Sequence, residues 1–227
     1  MAFELQAYLR RIGVEAPGAP DLALLRTVVA RHAGAIPFEN IDVLLRRGVR
    51  IDLPSVADKL VARGRGGYGF EHATLLRAGL EGLGFRCRHL MARVVRGQAP
   101  DAMAPRSHLV VEVDLPGGPF LADTGFGNLT PTAPVGFATA EPQSTPHETY
   151  RLVPMGPESL LEVRIGGAWE PLYRIQPDEP PWIDQEMANW FTATHPGSPF
   201  VASLIVARPG DGVRPAAPPR VLTRVSG

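Results

Sequence analysis

The chain has 227 residues, 44% hydrophobic and 20% charged, with 23 basic and 23 acidic side chains. That composition supports a sizeable core in one large domain or two small ones, and it argues against a disordered chain; the charge balance argues against a nucleic-acid binder, which would carry a basic excess. No apolar run approaches the roughly 20 residues that span a bilayer, the first residues lack a basic-then-apolar leader, and the lone cysteine, Cys87, leaves no internal disulfide and fits a reducing cytoplasm.

The first third reads as helical. Leu5, Tyr8, Leu9 and Ile12 form the i, i+3, i+4, i+7 stripe of an amphipathic helix over 4–13. Asp21 is an N-cap candidate for a second helix with its stripe at Leu25, Val28, Val29 and His32. A third, short helix is expected from Pro54 or Ser55 to Ala62, and a fourth from Gly69 to Leu83, stopped by Gly84. At Cys87 the pattern changes to strands: Arg86–Val95, His108–Val113, Phe120–Asp123, Tyr150–Val153, Leu160–Ile165 and Trp169–Ile175. Gly and Pro mark the turns at 116–119 and 166–167. The proline-rich pieces 97–106 and 131–146 read as surface loops. A helix is expected over Pro181–Phe191, a strand over Val201–Ala207, and a loop or linker over 208–220. Helices first and an antiparallel sheet second make an α+β chain.

Four segments carry the chemistry. They are Ile36-Pro37-Phe38-Glu39-Asn40-Ile41-Asp42, Arg63-Gly64-Arg65-Gly66-Gly67-Tyr68-Gly69-Phe70-Glu71, Ser107-His108-Leu109-Val110-Val111-Glu112-Val113, and Leu121-Ala122-Asp123-Thr124-Gly125-Phe126-Gly127. An Asp inside an apolar run is costly to bury alone, and a histidine partner would offset that cost. Gly125-Phe126-Gly127 permits close backbone approach to a ligand. None of the remaining histidines, His32, His72, His89, His147 and His195, has metal-ligand spacing, so no metal is expected and structural or surface roles are assigned to them.

Together these segments resemble the arylamine N-acetyltransferase family, which includes the related ansamycin-type amide synthases. The resemblance is good over roughly 30–135 and returns at Asn189-Trp190-Phe191-Thr192 and Ser198-Pro199-Phe200. It implies an N-terminal helical bundle (1–85), a central antiparallel β-barrel (86–176) and a shortened C-terminal α/β lid (177–227), with a papain-like active site between the first two. The family signature has a cysteine nucleophile at the position that Gly69 holds here, and often an asparagine where this chain has Ala73. By the same resemblance His108 is the base and Asp123 its orienter, as in a Cys-His-Asp triad. Phe38, Tyr68, Phe70, Gly125, Phe126 and Gly127 border the substrate, and Arg65 and Glu39 brace the loop. Glycine offers no nucleophile, and Cys87, after the whole fourth helix, is expected to be inert.

Three readings follow. One is a catalyst in which His108 activates an amine or carbon nucleophile for direct attack on an acyl thioester, giving an amide or a ring. Another is an ordinary acetyl-CoA-dependent enzyme with its cysteine engineered out. The third is a non-catalytic homologue that binds a ligand or a protein partner. The resemblance implies no permanently bound cofactor. Its substrate would be an acyl-CoA or a carrier-protein thioester, and neither nucleic acid nor membrane is expected as a partner. The sequence does not fix the oligomeric state.

Overall fold

The computed structural model describes residues 3–210. Helix α1 (Leu5–Ile12) buries Tyr8, Leu9 and Ile12 and ends where Gly13 takes φ +69°. Helix α2 (Leu22–Ala35) begins at Asp21, whose carboxylate accepts from the Leu24 N–H at 2.9 Å. A two-residue strand β1 (Phe38–Glu39) and one helical turn α3 (Ile41–Leu44) come next. Both are too short to show a period, and the sequence reading missed them. Helix α4 (Leu53–Ala57) starts at the Asp52 cap and runs into a π-helical turn, Asp58–Ala62, so the expected third helix is two pieces of different pitch. Helix α5 (Gly69–Gly82) is the central helix, and most of its side chains are buried.

The barrel-like sheet follows. Its strands are β2 (Arg86–Val94), β3 (Arg106–Leu115), β4 (Gly118–Ala122), β5 (Val135–Gly136), β6 (Gln143–Ser144), β7 (Thr149–Met155), β8 (Glu158–Ile165) and β9 (Ala168–Ile175). Their order is β5-β4-β3-β2-β9-β8-β7-β6, with every pairing antiparallel. The sheet curls until β5 meets β7, nearly closing the barrel. Two departures from expectation lie here. The loop expected over 131–146 contains β5 and β6, and Asp123 falls one residue past the end of β4. Helix α6 (Trp182–Thr194) runs three residues beyond its expected end.

The strand expected over Val201–Ala207 is corrected. Ser198 caps a short helix α7 (Pro199–Ala202), its hydroxyl accepting from the Phe200 N–H at 3.3 Å, and only β10 (Val206–Ala207) is strand. Serine followed by proline is a helix-start signal that outweighs the β propensity of Val and Ile. Strand β10 pairs antiparallel with β1. Asn40 clamps this C-terminal segment: its amide donates to the carbonyls of Phe200 (2.7 Å) and Ser203 (2.8 Å), and its oxygen accepts from the Ile205 N–H (2.8 Å). Residues 208–210 carry no regular structure, and the rest of the tail expected over 208–220 lies outside the described residues.

One apolar core joins α1, α2 and α5 to the face of β2 and β3, and a second fills the barrel around Tyr150, Leu161, Leu172 and Tyr173. Among the described residues no helix is long and apolar enough to cross a membrane.

Candidate active site

The site forms where the start of α5 meets β3 and the loop after β4. Register explains how its two titratable groups meet. His108, Val110 and Glu112 share one face of β3, and Leu121 of β4 sits opposite Glu112. Asp123, two residues beyond Leu121, returns to that face. His108 Nε2–H donates to Asp123 Oδ2 at 2.8 Å, with the two residues 4% and 2% exposed. Asp123 has two further donors: the Tyr173 hydroxyl from β9 reaches Oδ2 at 2.7 Å, and the Gly125 N–H reaches Oδ1 at 2.8 Å. Burial alone would raise the Asp123 carboxyl, but His108, Tyr173 and Gly125 together hold it below the usual carboxylate range. Burial, and next the Asp123 charge, push the Tyr173 phenol well above its ordinary value, so it stays a donor. Phe126 and Tyr173 wall in the His108 ring, their centroids 5.2 and 5.0 Å away.

With Nε2–H committed to Asp123, the other ring nitrogen is the basic one. It faces Gly69. A Cβ built on Gly69 would stand 3.0 Å from His108 Nδ1 and 3.0 Å from the Gly125 carbonyl oxygen. Residue 69 is the first residue of a 14-residue helix, where free N–H groups and the helix dipole favour negative charge.

The loop that delivers residue 69 is held by buried charge. Lys59, from the π-helical turn, sets its ammonium 2.8 Å from both Glu71 Oε1 and Asp42 Oδ2. Glu71 Oε2 accepts from the Tyr68 N–H at 3.0 Å, capping α5. Arg65 lies 3.3 Å from Glu39 and, more closely, 2.9 Å from Asp42. Burial works against the Lys59 charge, and Glu71 and Asp42 outweigh it, so the amine lies above its ordinary value. Burial pushes the Glu71 carboxyl up to about 7 while Lys59 pulls the other way. Two glycines are required by close approach: a Cβ on Gly66 would stand 2.3 Å from the Pro37 carbonyl oxygen, and one on Gly125 would stand 2.8 Å from Gly69 Cα.

The remaining site candidates divide into two sets. Gly125 lies against Gly69 and Phe126 against His108, whereas Gly127 lies beside the Phe38 ring. Tyr68 and Phe70 are each 1% exposed and lie in the helical core, where the Tyr68 hydroxyl bonds Asn189 Oδ1 of α6. Phe38, 6% exposed, packs on His72 and Phe200. These three hold the loop rather than present a surface. Cys87 lies near the start of β2, its thiol pushed up to about 12 by burial. Of the other histidines, His32 and His72 form a buried chain, with Tyr8 hydroxyl to His32 Nδ1 at 2.9 Å and His32 Nε2 to His72 Nδ1 at 3.0 Å. Burial lowers His72 to about 4. Among the described residues no cluster of His, Cys, Asp and Glu could hold a metal ion.

Sequence reasoning missed Lys59, Asp42 and Tyr173. Asp42 stands two residues after Asn40 in the quoted segment, which is the only signal for it. Lys59 and Tyr173 come from elements whose sequence says nothing of the site.

The sequence model of the family described as N-acetyltransferase matches residues 21–216. The arylamine N-acetyltransferase of Mycolicibacterium smegmatis is 44% identical over 220 residues, covering 94% of this chain and 79% of that protein. The Escherichia coli arylamine N-acetyltransferase is 37% identical over 204 residues, covering 90% of this chain and 72% of that protein. Among solved structures, the Mycobacterium marinum arylamine N-acetyltransferase in complex with CoA superposes with a TM-score of 0.87 at 42% identity, covering 92% of this chain and 78% of that one. The Salmonella typhimurium arylamine N-acetyltransferase superposes with a TM-score of 0.89 at 35% identity, covering 93% and 77%.

Proposed function

The chain belongs to the arylamine N-acetyltransferase family, and from that premise we propose that it transfers acyl groups from a thioester without forming an acyl-enzyme. An amine or a carbon acid attacks the thioester carbonyl directly. His108 takes the proton of the attacking group, Asp123 keeps the imidazole oriented and balances its charge, and the thiol leaves. The products are an amide or a cyclised chain and a free thiol. The observation that carries this reading is the geometry at residue 69: the basic nitrogen of a carboxylate-oriented histidine faces a position with no side chain of its own. The M. marinum relative solved with CoA supports a CoA thioester as donor, and a carrier-protein thioester offers the same acyl–sulfur bond. Tyr173, through its bond to Asp123, positions the base from behind.

The test follows thiol release from acetyl-CoA in the presence of an arylamine, with the amide identified by mass. His108→Ala should lower turnover by about 10²–10⁴-fold, the scale of a positioned proton transfer. Intact-protein mass should show no acetyl adduct during turnover. An adduct on Cys87, or a His108→Ala variant as active as the native protein, would remove the proposed mechanism.

A further inference from the structure

We infer that His72 is a positioning residue for this site, its ring locked by a one-way hydrogen-bond chain from Tyr8 through His32. The inference rests on the transfer reading above. The three side chains come from α1, α2 and α5 and are fully buried. Only one direction of the chain is possible. His72 Nε2 faces the Pro37 carbonyl oxygen at 3.4 Å, and a carbonyl only accepts, so this ring carries its hydrogen on Nε2. Burial lowers the His72 ring to about 4, against the pull of the Pro37 carbonyl, the Asp123 charge and the Gly67 carbonyl, so the ring is neutral and its Nδ1 is bare. That Nδ1 accepts from His32 Nε2–H at 3.0 Å. Burial, and next the neighbouring His72, keep His32 neutral as well, which leaves His32 Nδ1 to accept the Tyr8 hydroxyl hydrogen at 2.9 Å. Gly79 makes the room for this first donor: a Cβ there would stand 2.2 Å from Tyr8 Cε1.

His72 stands where the segments around residue 69 meet. Its Nε2–H points at the bridge between β1 and the loop that precedes α5. There the Pro37 carbonyl also accepts the Gly67 N–H at 3.2 Å, and the Gly67 carbonyl accepts the Glu39 N–H at 2.8 Å. The Phe38 ring of β1 stacks on the imidazole, centroids 6.3 Å apart. The loop after β4 passes so close that a Cβ on Gly125 would stand 3.0 Å from His72 Cβ. Residue 69 lies about one helical turn earlier on the same helix. Turning the ring would take its N–H away from the carbonyls and leave the His32 donor unpaired, so the chain selects one rotamer. Each bond also polarises the next. With the ring fixed, the loop carrying residue 69 and the loop carrying the Gly125 oxygen keep one spacing, and His108 Nδ1 meets residue 69 across it.

The experiment reads the ring and amide nitrogens of the nitrogen-15-labelled full chain by NMR at pH 7, together with turnover on acetyl-CoA and an arylamine. Native His72 and His32 should each carry hydrogen on Nε2 and none on Nδ1. Hydrogen on either Nδ1, or a charged ring, overturns the inference. Tyr8→Phe removes the first donor and should shift the His72 ring signals from two hydrogen bonds away; unmoved signals overturn it too. His72→Leu removes the donor to the carbonyls. It should speed exchange of the Glu39 and Gly67 amide hydrogens about tenfold, the scale of one hydrogen bond. It should also lower kcat by about 10–10²-fold with the KM for acetyl-CoA little changed, the scale of a slightly misplaced reacting group. His72→Gln still offers an N–H to the carbonyls and should recover most of both losses. If His72→Leu unfolds, as judged by circular dichroism, the native tautomers and Tyr8→Phe decide. Equal losses in the Leu and Gln variants mean a packing role and overturn the inference. Native turnover that His72→Leu retains in full overturns it and leaves the transfer reading standing. A native protein without turnover removes the transfer reading, and the tautomers, the amide exchange and its recovery by Gln then decide the positioning.

Discussion

Replacing Gly69 by cysteine adds the group whose surroundings are already assembled. The new Cβ would sit 3.0 Å from His108 Nδ1 and from the Gly125 oxygen, inside the ~3.5–4.0 Å of an ordinary carbon contact. The ring or the 124–126 loop must therefore yield by a few tenths of an ångström. Two effects favour the thiolate. The helix N-terminus contributes about 0.3–1 kcal/mol. A protonated imidazole at about 4 Å contributes up to ~4 kcal/mol at an effective dielectric of ~20. Burial opposes both, as it does at Cys87, whose thiol it pushes up to about 12. At about 1.36 kcal/mol per unit, a net fall of roughly 1–3 units below the ordinary ~8.5 remains. The thiolate fraction at pH 7 then rises from about 3% to between roughly a quarter and nearly all. The assay is iodoacetamide labelling across pH. The native protein, with only Cys87, is the control, its thiolate suppressed by burial. Gly69→Cys should label about tenfold faster at pH 7 than a free cysteine, with the midpoint of its profile below ~8.5. Labelling no faster than Cys87 would refute the reasoning and mean that His108 and the helix start do not act on residue 69.

Other outcomes follow from the same geometry. Lys59→Met leaves Glu71 and Asp42 buried without their shared counter-charge and should cost about 3–5 kcal/mol in denaturant unfolding. Gly125→Ala drives a Cβ to 2.8 Å from Gly69 Cα; backbone cannot yield as a side-chain end can, so a loss of about 1–3 kcal/mol is expected by thermal melting. Asp123 is held below its ordinary 3.8, so its contribution to stability is present above that pH and is lost as pH falls through the folded-state value. Asp123→Asn should flatten the acid limb of a stability–pH curve below about pH 4, and an unchanged limb would count against the buried hydrogen bonds that hold the Asp123 carboxylate.

The long, periodic elements were legible in the sequence. The stripe Leu5, Tyr8, Leu9, Ile12 and the Asp21 cap each predicted a helix that is present, because amphipathic spacing and capping act locally. The motif residues His108, Asp123 and Gly69 were also legible. What the sequence withheld was convergence. Tyr173 reaches Asp123 from a strand 50 residues away, and a tyrosine in a strand carries no mark of its partner. Lys59 reads as one more charge on a short helix, and only the π-helical turn carries it inward. The segment Val201–Ala207 misled because Val, Ala and Ile suit a strand, while Ser198-Pro199 before it sets a helix start.

Asn40 bonds Phe200, 160 positions further along the chain. Chains are made from the N-terminus at about 5–20 residues per second, so roughly 8–30 seconds pass between the synthesis of these two residues. Throughout that interval the segment around Phe38 and Glu39 has neither its strand partner β10 nor the Phe200 ring against it. The charges of Glu39, Asp42, Lys59, Arg65 and Glu71 are all made early and can pair at once. The nascent chain thus has its electrostatic brace long before its apolar cover, and Phe38 and Tyr68 receive the Phe200 ring only afterwards.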